Sequence, residues 1–276
     1  MGASEEVGEG GAGKGDSGNS ENPRPHLFDA HLHIVDPAHP LIANDRYLPE
    51  PFTVADYRER TANLQVEGGT VVSGSFQGFD QGYLLDALRR LGPGFVGVTQ
   101  IPADTPDARI AELDAAGIRA VRFNVARGGS AALEDMDRLA RRVHDLTGWH
   151  AELYIDARRI DADLGARIAA LPAVSIDHLG MHSGGLPTLL RLVEQGVRVK
   201  ATGFGRLRAN AEAVAEMLRA IDATDPRALM LGTDLPSTRA PRPFADTDLD
   251  LAARALGPER LGDVFWTNAE RFYLHL

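Results

Sequence analysis

The chain has 276 residues, 43% hydrophobic and 25% charged, with a formal charge of −10; this globular composition excludes a disordered chain, a collagen-like fibre and a small stapled domain. Cysteine is absent, which removes disulfides, thiolate metal sites, iron–sulfur clusters and a cysteine nucleophile. With 39 acidic against 29 basic residues there is no excess of positive charge for nucleic acid, no apolar run reaches the ~18 residues of a membrane span, and the N-terminus lacks the basic and hydrophobic regions of a signal peptide, so a cytoplasmic protein with neither nucleic acid nor membrane as partner is expected.

Residues 1–25 are Gly-rich and contain no aromatic; they cannot bury enough apolar surface to offset the entropy of ordering, and read as a disordered tail. Lys14 follows a glycine there, but no strand precedes it and no Ser or Thr follows it, as a phosphate loop would require. Residues 26–276 read as one domain. Eight β-rich runs follow one another at 27–33, 69–76, 95–101, 119–125, 150–156, 173–179, 197–203 and 228–234. Amphipathic helical stretches separate them, at 53–65, 86–91, 107–117, 133–146, 161–171, 186–196 and 211–222, with a last pair near 247–256 and 258–273. Strand then helix, eight times over, predicts a (β/α)8 barrel. A doubly wound sheet would want a Gly-rich first turn, whereas the first run here ends in histidines.

Chemistry in such barrels sits at the C-terminal ends of the strands. The first run ends in His31-Leu32-His33, two imidazoles that the two-residue period of a strand places on one face. The sixth ends in Asp177-His178 and the eighth in Thr233-Asp234-Leu235-Pro236. A lone histidine is usually an ordinary core or surface residue, and His26, His39, His144, His182 and His275 are read that way. A paired set, a third histidine and an aspartate at three separate strand mouths form a candidate site. The other strand ends carry Ser75, Gln100, Arg122 with Asn124 and Arg127, Tyr154 with Asp156, and Thr202 with Arg206. Ser75 and Gln100 have an alternative reading as partners of backbone groups, and Arg122 as the partner of a helix carboxylate. Arginines gathered at one mouth of an acidic protein make a local positive pocket, which suits a small anionic substrate.

FDAHLHIVDP at 28–37, VSGSFQGFDQGYLLDALRRLG at 72–92, VRFNVARGG at 121–129, IDHLG at 176–180 and GTDLP at 232–236 carry a resemblance over 27–275 to the amidohydrolase-related proteins, and within them to the branch of 2-pyrone-4,6-dicarboxylate and sugar-acid lactonases. The resemblance implies a hydrolase that opens a carboxylated lactone. Asp234 would be the general base that activates water. His31, His33 and His178 would polarise the scissile carbonyl or hold a divalent metal. Tyr47, Ser75, Arg122, Arg127, Tyr154 and Arg206 would bind the substrate. An arginine-rich pocket is expected to favour the ionised form of Asp234.

Binuclear members of the superfamily place a carboxylated lysine on the fourth strand. Here that strand reads Arg122-Phe123-Asn124, Tyr154 stands on the fifth, and the two lysines of the chain, Lys14 and Lys200, lie elsewhere. The lactonase branch works without metal, so no cofactor is expected; a single Zn²⁺ on His31, His33, His178 and Asp234 is the alternative, though Asp234 as fourth ligand would fill the position that a catalytic zinc keeps open. The runner-up activity is a metal-dependent decarboxylase of an aromatic or unsaturated acid, followed by a barrel that binds small anions without turnover. The loop Ser237–Phe244 departs from the dicarboxylate lactonase pattern, so the particular lactone is left open. A homodimer is the default for a soluble oligomer.

Overall fold

The computed structural model describes residues 1, 2 and 26–274; apart from Met1 and Gly2, the tail expected over 1–25 lies outside them, as does His275. Eight parallel strands form one sheet in the order of the chain: β1 Leu27–Leu32, β2 Val66–Val72, β3 Phe95–Thr99, β4 Ile118–Phe123, β5 His150–Leu153, β6 Val174–Ile176, β7 Arg198–Ala201 and β8 Leu229–Leu231. The helices are α1 Val54–Arg60, α2 Gly82–Leu91, α3 Asp107–Ala115, α4 Met136–Thr147, α5 Ala162–Ala169, α6 Leu186–Val193, α7 Ala211–Thr224, α8 Asp246–Leu256, α9 Pro258–Gly262 and α10 Asn268–Leu274. This is the expected barrel. Among the described residues no helix is long and apolar enough to cross a membrane.

Three of the helices start where a short polar side chain takes up a free N–H. Thr53 and Asp56 cap α1 reciprocally, Asp161 accepts from Leu164 at α5, and Asn210 accepts from Ala213 at α7. The strands end earlier than expected, and at β6 and β8 the reason is backbone conformation. His178 (φ 50°) and Leu179 (φ 49°) stop β6, and Asp234 (φ 60°) lies beyond β8, all in the left-handed region that no strand continues through. The last helical stretch is not one helix: five residues of π-helix, Asp263–Thr267, join α9 to α10.

Apolar side chains divide between two layers. Leu27, Leu32, Val71, Val121 and Ile176 pack outward against the helices, while Phe28, Ala30, Val96, Val98, Ala120 and Met230 fill the barrel interior with Tyr273 of α10. Between β1 and β2 the pairing slips by one residue, from Asp29↔Gly69 to Leu32↔Val71. Such a bulge re-aims side chains: Ala30 already points inward, Asp29 points outward to Tyr57 of α1, and the extra residue brings His31 into the interior as well.

The barrel closes between β8 and β1 through backbone bonds from Asp234 N to His31 O and from His33 N to Leu235 O, both 2.7 Å. Asp29 fastens the same seam. Its Oδ1 accepts from Thr233 N at 2.8 Å and His31 N at 3.3 Å, and its Oδ2 from Thr233 Oγ1 at 2.7 Å and Tyr57 OH at 2.9 Å. A Cβ at Gly232 would stand 2.7 Å from His31 N and 2.8 Å from Asp29 Oδ1, so the seam admits no side chain there.

Candidate active site

The interior is layered along the barrel axis. Above the apolar layer, Tyr273 OH donates to Glu152 Oε2 at 3.1 Å, and Lys200 Nζ lies 2.5 Å from the same oxygen. Next come Asp177 and Arg122, joined at 2.6 Å, with Arg122 also donating to Ser73 O at 2.7 Å. His31 lies over this ionic layer, its Nδ1 3.3 Å from Lys200 Nζ, 3.4 Å from Asp177 Oδ1 and 3.8 Å from Glu152 Oε1.

At the mouth three imidazole nitrogens converge on one oxygen. The Nε2 atoms of His31, His33 and His178 stand 3.9, 3.8 and 3.9 Å from Asp234 Oδ1. Arg206 grips the same carboxylate with two N–H groups, at 2.6 Å to Oδ2 and 3.0 Å to Oδ1, and donates to Thr238 O at 2.9 Å. His33 Nδ1 donates to Val72 O at 2.7 Å, and His178 Nδ1 meets Thr202 Oγ1 at 2.8 Å. That last contact needs Gly203, since a Cβ there would stand 2.7 Å from His178 Nδ1.

Burial governs the charges. It pushes His31 and His178 well below the usual imidazole range and His33 down to about 3, so all three rings are neutral at pH 7. Burial also raises Asp234 above the ordinary carboxylate value, and Arg206 offsets only part of the rise. Arg206 and Arg122 favour the ionised form, as expected, but desolvation of a fully buried carboxyl outweighs them and the net shift is upward. A carboxylate with a raised pKa is the stronger base. Glu152 is pushed up to about 7 by burial and by Asp177, whereas Asp177 is buried yet held well below the usual range by Arg122 and Lys200.

His33, His178, Tyr47, Ser75, Arg122, Arg127, Tyr154 and Arg206 line one open pocket with an empty volume of about 390 Å³, so the residues singled out from the sequence meet in space. His31 and Asp234 lie fully buried beneath it. Tyr47 is half-buried with the Arg239 guanidinium 4.4 Å above its ring, and Arg127 is exposed at the rim. Arg122 pairs with Asp177, one residue past the end of β6, rather than with a helix carboxylate. Arg122 and Arg206 are partly spent inside the protein, yet each guanidinium has five N–H donors and keeps some for a ligand. Gln100 has the plainer role, donating to Gly74 O and Gly78 O. His150 is at the opposite end of the barrel, its ring 4.3 Å from that of Phe272.

The sequence reasoning passed over Glu152 and Lys200, and gave Asp177 no role. The signal was the two-residue period: Glu152 precedes Tyr154 by two and Lys200 precedes Thr202 by two, which puts both on the inward face. A second groove, with an empty volume of about 1260 Å³, shares Arg127, Tyr154 and Arg206 with the pocket and adds Arg159 and Arg208. The guanidinium groups of Arg127, Arg159 and Arg208 pair with no carboxylate among the described residues.

His31, His178 and Asp234 each offer a ligand atom within 4.8 Å of the others, and a single divalent ion fits such a nitrogen and oxygen set. The triad of His31, Glu152 and Asp177 is equally close, but there the Lys200 ammonium occupies the cation's place, 2.5 Å from Glu152 and 3.8 Å from Asp177.

Three comparisons bear on identity. A 2-pyrone-4,6-dicarboxylate hydrolase of Comamonas testosteroni is 29% identical over 157 residues, 55% of this chain and 51% of that protein, so the match spans about half of that relative's length. A 4-sulfomuconolactone hydrolase of Hydrogenophaga intermedia is 26% identical over 229 residues, 77% of this chain and 75% of that protein. The crystal structure of a probable 2-pyrone-4,6-dicarboxylic acid hydrolase from Acinetobacter baumannii with citric acid bound superposes with a TM-score of 0.78 at 20% identity, covering 90% of this chain and 98% of that one, which shows the shared fold. The family model described as Amidohydrolase matches residues 28–274, and this chain belongs to that family.

Proposed function

We propose that the protein hydrolyses a lactone bearing at least one anionic group, with Asp234 as general base. One observation carries this reading: a buried carboxylate of raised pKa faces three neutral imidazoles at the floor of an open pocket. Asp234 takes a proton from water as the water oxygen attacks the ring carbonyl. The oxyanion that forms is met by N–H donors. His178 supplies one from Nε2 when Thr202 donates to its Nδ1, and Arg122 and Arg206 have N–H groups to spare. His33 is different: its Nδ1–H is committed to Val72 O, so its neutral Nε2 accepts and does not donate. Collapse breaks the bond from the carbonyl carbon to the ring oxygen, and protonated Asp234 returns its proton to that oxygen. Lactone and water thus give one hydroxy acid or enol acid.

The anionic group has its own support in the arginines of the rim and groove. Ion pairs neutralise most arginines of this acidic chain, yet Arg127, Arg159 and Arg208 have no acidic partner among the described residues, and guanidinium suits carboxylate and sulfonate alike. The named activities of the two hydrolase relatives, on a pyrone dicarboxylate and a sulfomuconolactone, fit such a substrate. A divalent ion, where bound by His31, His178 and Asp234, would add Lewis-acid polarisation of the carbonyl.

The test is initial-rate hydrolysis of 2-pyrone-4,6-dicarboxylate, sugar-acid lactones and a neutral lactone by chelator-treated protein. Turnover of an anionic lactone with the neutral one left untouched is expected. Silence across the panel, together with a stoichiometric metal that survives purification, would transfer the assignment to the decarboxylase reading.

A further inference from the structure

His31 Nδ1 has two competing partners. Lys200 Nζ, 3.3 Å away, can only donate; Asp177 Oδ1, 3.4 Å away, can only accept and has no hydrogen-bond partner. Which one His31 takes decides the state of its other nitrogen, the one at the reactive centre. His33 resolves the choice. Its Nδ1–H goes to Val72 O, so in the neutral ring Nε2 carries a lone pair, and that lone pair faces His31 Nε2 at 3.3 Å. A proton on His31 Nδ1, directed at Asp177, would set two lone pairs against each other across that distance. A proton on His31 Nε2 makes the contact a hydrogen bond instead, and leaves Nδ1 to accept from Lys200. Donor then meets acceptor at every step from Lys200 through His31 and His33 to Val72.

We propose that Lys200 is a positioning residue that fixes His31 in the tautomer with its proton on Nε2, donated to His33 Nε2 at the reactive centre. The inference gives His31 its part in the lactone hydrolysis proposed above and rests on that reading for its catalytic meaning alone. The ammonium is held for this task by Glu152 at 2.5 Å, with the Tyr273 ring 5.4 Å beneath it, and Lys200, Glu152 and His31 are all fully buried. A second consequence concerns metal. A divalent ion needs the lone pair of His31 Nε2, hence a proton on Nδ1 directed at Asp177, so Lys200 works against ion binding and its loss favours it.

The experiment is nitrogen NMR of the chelator-treated chain labelled at histidine, with His31 assigned from the resonances lost in His31→Asn. Wild type is expected to show a pyrrole-like Nε2 and a pyridine-like Nδ1. Lys200→Met reverses the two; the double variant Lys200→Met/Glu152→Gln, which leaves no unpaired carboxylate, serves where the single variant does not fold, and Lys200→Arg restores the wild-type pattern. In Lys200→Met and the double variant, kcat for the best lactone falls about 10–100-fold at unchanged KM and Zn²⁺ binds at least about 10-fold tighter by titration, the scale of such outer partners. A wild-type His31 protonated on Nδ1, or one pattern shared by wild type and the double variant, overturns the proposal. Absence of any lactone turnover leaves the tautomer result standing and removes only its catalytic meaning.

Discussion

Two fully buried aspartates, Asp29 in the β1–β8 seam and Asp234 at the mouth above it, share a chemical type and differ in what surrounds them. Burial raises both, Asp29 to about 6. Asp29 accepts four hydrogen bonds from Thr233, His31 and Tyr57, which satisfies the lone pairs of a carboxylate. Asp234 is satisfied on its Arg206 side only, and turns Oδ1 toward three neutral imidazoles. A buried acid becomes a candidate base through acceptor capacity left open toward a pocket; burial alone makes a rivet.

The largest expected effect separates the two directly. Asp234→Asn should keep the fold, because Asn tolerates the left-handed conformation that Asp234 adopts at φ 60°, while kcat falls about 10²–10⁴-fold with the loss of a general base; near wild-type turnover would end the assignment. Arg122→Met should act on stability, since Asp177 is left buried without its 2.6 Å partner. Urea unfolding should show a loss of about 3–5 kcal/mol, the range for breaking a buried pair. Asp29→Ala removes the acceptor of two hydroxyls and two backbone N–H groups in the seam and should cost at least about 3 kcal/mol by the same measurement, at roughly 1–3 kcal/mol per unsatisfied group.

At the rim the effect is smaller and purely one of binding. Arg127→Met, which breaks no ion pair among the described residues, should raise KM for an anionic lactone by about 10-fold, in line with about 1.4 kcal/mol, and leave KM for a neutral lactone unchanged. An equal rise for both would remove the rim from anion recognition. The last effect is proton-linked. His33, held down at about 3, stays neutral in the folded protein and gains a proton on unfolding below about pH 6.5. Its contribution is complete above that value and is lost as pH falls toward 3, by about 1.4 kcal/mol per unit. Unfolding at pH 7, 6 and 5 should be less steeply pH-dependent in His33→Gln than in wild type by that amount.

The barrel was legible because eight buried β-rich runs alternate with amphipathic helices. Strand lengths were less so, since the polar residues that end each run belong to loops whose positive φ values a pattern of residue types does not reveal. His31 and His33 do share a side, but the bulge between Asp29 and Leu32 brings them there, and no residue of that stretch announces it. The lower ionic layer stayed hidden for another reason. Lys200 and Glu152 look like ordinary charges in a sequence, and their meeting at 2.5 Å joins β5 to β7 across the barrel interior, a pairing that follows only from closure of all eight strands.

The most direct test of the central claim is the pH dependence of kcat/KM for the best lactone, measured on chelator-treated wild type and Asp234→Asn. An ionised carboxylate among neutral imidazoles predicts one acid limb, above the ordinary carboxylate value and absent from the residual activity of the variant. A limb that survives in Asp234→Asn would contradict it.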